Sequence, residues 1–117
     1  MSLLFDTSVW VHHLSRGGDA RLIEALDSDE AATHPLVIGE LAMGHVPDKI
    51  LRDIQTLPML NQSQWAEVMA FVHKYKLQGV GLSWVDANLL HSALSTGTQL
   101  VTYDKPLRRA YDKLHSM

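Results

Sequence analysis

Short apolar runs alternating with longer helix-patterned segments predict an α/β sandwich, with a short, mainly parallel sheet flanked by helices. Three observations carry the prediction. The apolar runs at residues 2–5, 31–33 and 99–102 are too short for helices. The segments between them place apolar side chains at helical spacing. Asp6 and Asp104 stand directly after the first and last runs, and open parallel sheets build their sites at such carboxyl ends.

In order, Ser2-Leu3-Leu4-Phe5 reads as a short buried strand. Residues 8–14 follow as a helix with Val9, Val11 and Leu14 apolar, broken by Gly17-Gly18. Residues 20–26 form a second helix, with Leu22, Ile23 and Leu26 on one face. Residues 31–33 are the second strand. Pro35 opens a helix that runs to Met43, and Gly44 ends it. Residues 49–57 make another helix, stopped by Pro58, and Met59-Leu60 reads as a very short strand. Residues 64–75 are amphipathic, with Trp65, Val68, Met69 and Val72 at helical spacing. Residues 77–82, with Gly79 and Gly81, form a loop. A helix at 84–95 ends at Gly97, a strand covers 99–102, and a last helix covers 106–114.

A chain of 117 residues that is 46% hydrophobic has enough apolar material for one core, so residues 1–117 are expected to form a single domain. The net charge of -3 argues against wrapping nucleic acid by bulk charge. It leaves room for a nuclease, since divalent cations offset an acidic cluster. Cysteine is absent, which excludes disulfides and thiolate–zinc sites and fits a reducing compartment. No signal peptide and no membrane-spanning stretch is legible, so a soluble cytoplasmic protein without a membrane partner is expected.

Four acids flank four different apolar segments: Asp6, Glu40, Asp86 and Asp104. Three have structural alternatives. Asp6 and Asp104 each precede a helix and can serve as its N-cap. Asp86 completes the capping pattern Ser83-x-x-Asp86. Glu40 lacks such an alternative. It lies in the apolar run Leu36-Val37-Ile38-Gly39-Glu40-Leu41-Ala42-Met43, where burial of a lone carboxylate costs several kcal/mol unless it is paired or ligates a metal. The other way out for Glu40 is to point away from the core.

Gathered in space, four carboxylates make a hard-oxygen site for Mg²⁺ or Mn²⁺. Such an ion supports hydrolysis of a phosphate ester by an activated water. Ser8 and Thr102 are placed to hydrogen-bond the carboxylates, or alternatively to cap a helix and pack a strand. Lys105, Arg108, Arg109 and Lys113 cluster near Asp104 as candidate RNA-phosphate contacts, with a solvated charged face as the alternative. Lys74 and Lys76 are further candidates, and His12 and Arg16 can line an edge of the cleft. The seven histidines show no metal-ligand spacing: His12 and His13 are adjacent, and His34 precedes a proline as in a loop. Trp10, Trp65 and Trp84 fall on apolar helix faces and are expected in the core, Trp84 lying next to the site loop.

These blocks resemble the PIN-domain family, and within it the VapC-type toxins of toxin–antitoxin pairs. Leu4-Phe5-Asp6-Thr7-Ser8-Val9-Trp10-Val11 is similar to the family's first strand and metal aspartate. Thr33-His34-Pro35-Leu36-Val37-Ile38-Gly39-Glu40, Gly81-Leu82-Ser83-Trp84-Val85-Asp86 and Leu100-Val101-Thr102-Tyr103-Asp104 resemble its second, third and fourth acidic segments. The resemblance implies a PIN-like three-layer sandwich and a Mg²⁺- or Mn²⁺-dependent endoribonuclease leaving 5′-phosphate and 3′-hydroxyl ends. It also implies a homodimer and a VapB-type antitoxin whose tail occupies the active-site groove. Many relatives carry a further acid two positions beyond the fourth, where this chain has Pro106, and some carry a basic residue where it has Tyr103. A one-metal mechanism is therefore as compatible with the sequence as a two-metal one.

A contrasting expectation is a non-catalytic PIN-like scaffold that binds RNA or protein. A dehalogenase-type phosphatase needs a second aspartate two residues after Asp6, where Ser8 stands. A receiver domain needs paired acids before the end of the first strand, and residues 2–5 have none.

Overall fold

The computed structural model describes residues 2–117. Among them a three-stranded parallel sheet is flanked by seven helices. The strands are β1 (Leu3–Phe5), β2 (Ala31–Ala32) and β3 (Gln99–Val101). The helices are α1 (Thr7–Ser15), α2 (Ala20–Asp27), α3 (Pro35–Met43), α4 (Asp48–Ile54), α5 (Trp65–Lys74), α6 (Trp84–Thr96) and α7 (Lys105–His115). The sheet order is β2-β1-β3. Leu3 pairs with Ala31 on one side and Gln99 on the other, and Phe5 pairs with Val101.

The central strand explains the layers. Leu4 and Phe5 point to opposite faces of β1, yet both are fully buried. The sheet is therefore covered on both sides, as parallel sheets are. Each of these side chains contributes about 2–3 kcal/mol by leaving water. Leu89, Leu90, Leu107, Val37 and Leu41 complete the core from α6, α7 and α3.

Three sequence signals act as expected. Pro35 opens α3 and Gly44 closes it. Ser83 and Asp86 form a reciprocal capping box at the start of α6. Gly97 ends α6 at φ 66°, a left-handed conformation that costs glycine little. The short strand expected at Met59-Leu60 is a single bridge from Thr33 to Met59, flanked by Thr33 N–H to Pro58 O and Leu60 N–H to Thr33 O.

Several apolar faces lie differently from the expectation. Val11 and Leu14 on α1, and Ile23 on α2, face outward. Trp65 is 70% exposed and Trp84 46% exposed, so of the three tryptophans only Trp10 enters the core. Spacing identified α5 as amphipathic, but its buried side is centred on Val68, with Phe71 and Val72 half-buried. His34, expected in a loop, is fully buried as the N-cap of α3. Its Nδ1 accepts the Leu36 N–H at 3.0 Å and its Nε2 meets Ser92 Oγ at 3.2 Å. Burial lowers its pKa to about 4, so the ring is neutral in the folded protein at neutral pH. No helix among the described residues is long and apolar enough to cross a membrane.

Candidate active site

Asp6 directly follows β1 and Asp104 lies three residues beyond β3, so adjacent parallel strands bring both to one edge of the sheet. Asp6 N–H bonds Val101 O at 3.0 Å, which continues the ladder to the edge. Asp6 is nearly buried, at 5% exposure. One of its carboxylate oxygens, Oδ2, accepts from Thr102 Oγ1 at 2.5 Å and Ser8 Oγ at 2.9 Å. Thr102 Oγ1 also accepts the Asp104 N–H at 3.0 Å. One hydroxyl thus ties the backbone of Asp104 to the side chain of Asp6.

The helix-cap alternatives hold for two of the acids. Asp104 caps α7 through Oδ2, which accepts the Leu107 N–H at 3.0 Å. Asp86 Oδ2 accepts the Ser83 N–H at 2.9 Å. Asp6 occupies the N-cap position of α1 but makes no side-chain cap bond. In each of the three, only one carboxylate oxygen is hydrogen-bonded among the described residues. The other oxygen of each makes no hydrogen bond to the described residues.

Electrostatics places the three acids in one field. Burial raises the pKa of Asp86, against the Ser83 hydrogen bonds, and the negative charges of Asp6 and Asp104 raise it further. No basic side chain forms an ion pair with these acids among the described residues. Like charges held together without a counterion are the condition a divalent cation relieves.

Glu40 departs from the expectation. It is exposed on α3 and keeps its charge in water, so it carries no cost of buried charge. Its link to the site runs through Thr7, whose Oγ1 donates to Glu40 Oε1 at 2.6 Å. Thr7 follows Asp6 directly and opens α1. Its role was not legible beyond its place in the Asp6-Thr7-Ser8 run.

The donor chemistry of this edge fits magnesium or manganese: hard oxygens, each acid with one oxygen uncommitted, and no competing cation. As placed, no three acidic or imidazole side chains among the described residues converge tightly enough to hold one ion together. A shared ion needs a closer approach than these side chains make.

A second carboxylate centre adjoins the first. Asp19 is 2% exposed and caps α2 through the Leu22 N–H at 3.1 Å. Its Oδ2 accepts from Tyr103 Oη and from His12 Nδ1, the latter at 2.8 Å. Its own N–H donates to His13 Nδ1 at 2.9 Å. Burial opposes ionisation of Asp19, but the bonds from Tyr103, Leu22 and His12, with the charge of His12, outweigh it and hold the pKa below the ordinary carboxylate value. The Asp19 bond, burial and the Asp19 charge raise the pKa of Tyr103, against the opposing charge of Arg21. Neither Asp19 nor Tyr103 stood out in the sequence as a site residue, because 84 residues separate them.

Lys105, Arg108 and Arg109 lie exposed on α7, beyond Asp104. Arg109 and Lys113 join Lys74 and Lys76 along a groove of about 380 Å³ with an apolar floor that includes Val80, Pro106 and Leu114.

Residues 3–113 match the family model of the PIN domain. Ribonuclease VapC32 from two strains of Mycobacterium tuberculosis is 46% identical over 114 residues, covering 92% of this chain and 89% of that protein. Two solved structures share the fold at 20% identity. FitAcB from Neisseria gonorrhoeae superposes with TM-score 0.62, over 94% of this chain and 93% of that one. PAE2754 from Pyrobaculum aerophilum superposes with TM-score 0.59, over 100% and 97%. With its acids at the carboxyl edge of a three-stranded parallel sheet, this chain belongs to the PIN-domain family, in its VapC-type branch.

Proposed function

We propose that this protein is the endoribonuclease toxin of a toxin–antitoxin pair, that it depends on Mg²⁺ or Mn²⁺, and that residues 1–117 act as one nuclease domain. The observation that carries the proposal is the coupling of Asp6, Asp86 and Asp104 at one sheet edge without a basic partner among the described residues. The identity to Ribonuclease VapC32 supports RNA as the substrate.

Asp6, Asp86 and Asp104 hold the cation in this proposal, and Glu40 contributes through Thr7 or through water. The divalent ion, when bound, supplies positive charge for the phosphate and lowers the pKa of an attacking water. Ser8 and Thr102 keep one oxygen of Asp6 engaged, which fixes the direction of the other. Lys105, Arg108 and Arg109 offer charge for flanking phosphates. No side-chain nucleophile is required; attack by water with the 3′-oxygen as leaving group, the outcome the family resemblance implies, would leave a 5′-phosphate and a 3′-hydroxyl.

A VapB-type antitoxin and a second copy of the chain are the proposed partners, in the cytoplasm. The exposed Trp65, Met69 and Trp84, which line a shallow apolar depression, support a protein partner.

The test is cleavage of total cellular RNA by antitoxin-free protein, with Mg²⁺, with Mn²⁺ and with chelator, beside Asp6→Asn. Discrete fragments that require metal and vanish in the variant are expected. Fragments that persist in chelator, or in Asp6→Asn, overturn the proposed chemistry. Absence of cleavage with either metal favours a binding scaffold instead.

A further inference from the structure

We propose that His12 and Tyr103, both held on the buried carboxylate of Asp19, form a stacking subsite for one base of single-stranded RNA beside the acidic edge. The inference rests on the ribonuclease reading above and extends it to substrate recognition.

Both rings are held at their polar ends and remain partly exposed. Tyr103 is 52% exposed, although its hydroxyl donates to a carboxylate that is 2% exposed. The His12 side chain is 45% exposed, although its Nδ1 bonds the same oxygen. The rings meet edge to face, with centroids 5.4 Å apart and planes at 81°. A carboxylate held ionised can only accept, so Nδ1 of His12 carries the hydrogen. Its Nε2 has no hydrogen-bond partner among the described residues. The subsite therefore offers two aromatic surfaces and one polar atom whose orientation is already set.

Capping α2 needs only the Asp19 oxygen that accepts the Leu22 N–H. The cap does not require two aromatic rings at the surface. Rings whose torsions are fixed before binding lose little entropy on stacking. Single-stranded RNA is commonly recognised by bases stacked on tyrosine, histidine and other flat side chains.

The position suits a nucleotide adjoining the reacting phosphate. Tyr103 directly precedes Asp104, and its N–H donates to Ser8 Oγ at 3.1 Å. The same Ser8 hydroxyl donates to Asp6. His12 lies one helical turn beyond Ser8 on α1, and residues at that spacing are about 5–6 Å apart on one face. The rings and the acids are thus neighbours on a single surface, joined by Ser8.

The experiment follows the ring resonances of His12 and Tyr103 by NMR. The protein is titrated with the four nucleoside 5′-monophosphates and, separately, with ribose 5-phosphate. The nucleotides are expected to shift both rings, and ribose 5-phosphate neither. Tyr103→Ala is expected to weaken nucleotide binding roughly 10-fold. Tyr103→Phe keeps the ring and is expected to stay within about 3-fold of the parent. In total-RNA cleavage with sequenced ends, Tyr103→Ala is expected to cut more slowly than the parent and with relaxed nucleotide preference beside the cut; a parental preference overturns the subsite. Silent rings, or equal shifts from ribose 5-phosphate, overturn the subsite. If the parent cuts RNA while the rings stay silent, only the subsite falls. If nucleotides shift the rings but no RNA is cut, the ribonuclease reading falls and a nucleotide site remains.

Discussion

Asp19 and Asp86 lie in neighbouring parts of the molecule, yet their environments move their protons in opposite directions. Asp19 is the more deeply buried and binds its proton less readily than a free aspartate. Asp86 is only half-buried and binds its proton more readily. Burial opposes ionisation of both carboxylates, and what is set against it differs. Asp19 receives hydrogen bonds on both oxygens from α1, from α2 and from the loop between β3 and α7. Asp86 receives its bonds from Ser83 alone and faces the charges of Asp6 and Asp104. The contrast separates a carboxylate saturated by its own fold from one left partly unsatisfied. The first kind holds structure together, and the second kind is available to a ligand.

The largest test of that contrast is kinetic. Asp6→Asn or Asp104→Asn is expected to lower metal-dependent RNA cleavage by roughly 100- to 1000-fold, with the urea midpoint nearly unchanged. A variant that cuts RNA at the parental rate removes its residue from the site.

The pH dependence sharpens the comparison next, once a third group is accounted for. The pKa of His34 is lowered from 6.5 to about 4 by burial. Its contribution to stability is complete above pH 6.5, shrinks as pH falls towards about 4, and is then lost. At about 1.4 kcal/mol per pH unit the loss is about 3 kcal/mol. His34→Asn, which keeps a capping oxygen, is expected to flatten urea-derived stability between pH 6.5 and 4. A slope equal to the parent's assigns the loss elsewhere. Asp19 acts lower: its depressed pKa gives stability that is present above 3.8 and lost as pH falls below it.

Asp19→Ala is expected to cost about 2 kcal/mol, from the lost cap and the stranded donors of Tyr103 and His12. Urea unfolding at pH 7 measures it, and a change below about 0.5 kcal/mol denies Asp19 its structural role. The smallest effect has the opposite sign. Asp86→Asn is expected to stabilise metal-free protein slightly, by about 0.5 kcal/mol, read as a small rise in melting temperature, and to diminish the further rise produced by Mg²⁺. A parental Mg²⁺ response in this variant places the ion away from Asp86.

Much of the fold was legible because its signals are local. Pro35, Gly44, Ser83 and Gly97 mark helix ends through backbone chemistry that needs no distant partner. Asp6 and Asp104 could be placed on one edge because parallel strands align their carboxyl ends. What was not legible depends on the angle at which an element docks. Trp65 and Val68 share the apolar spacing of α5, and only the packed helix shows that Val68 is buried while Trp65 is exposed. Glu40 looked buried for the same reason, because α3 is apolar nearly all round. Asp19 and Tyr103 meet across 84 residues, and no periodicity records such a meeting.

The sheet order also has a consequence in time. The central strand is made before either neighbour, and β3, which completes the acidic edge, is made after β2. Thr102 and Asp6 bond across 96 residues. A ribosome delivers a chain from its amino end, so Asp6 has left the ribosome long before β3 exists to receive it. An unfinished chain can carry Asp6, Glu40 and even Asp86 without the contacts that Thr102 and Asp104 provide. If the finished protein cuts RNA, its topology makes that activity wait for the synthesis of β3 and Asp104.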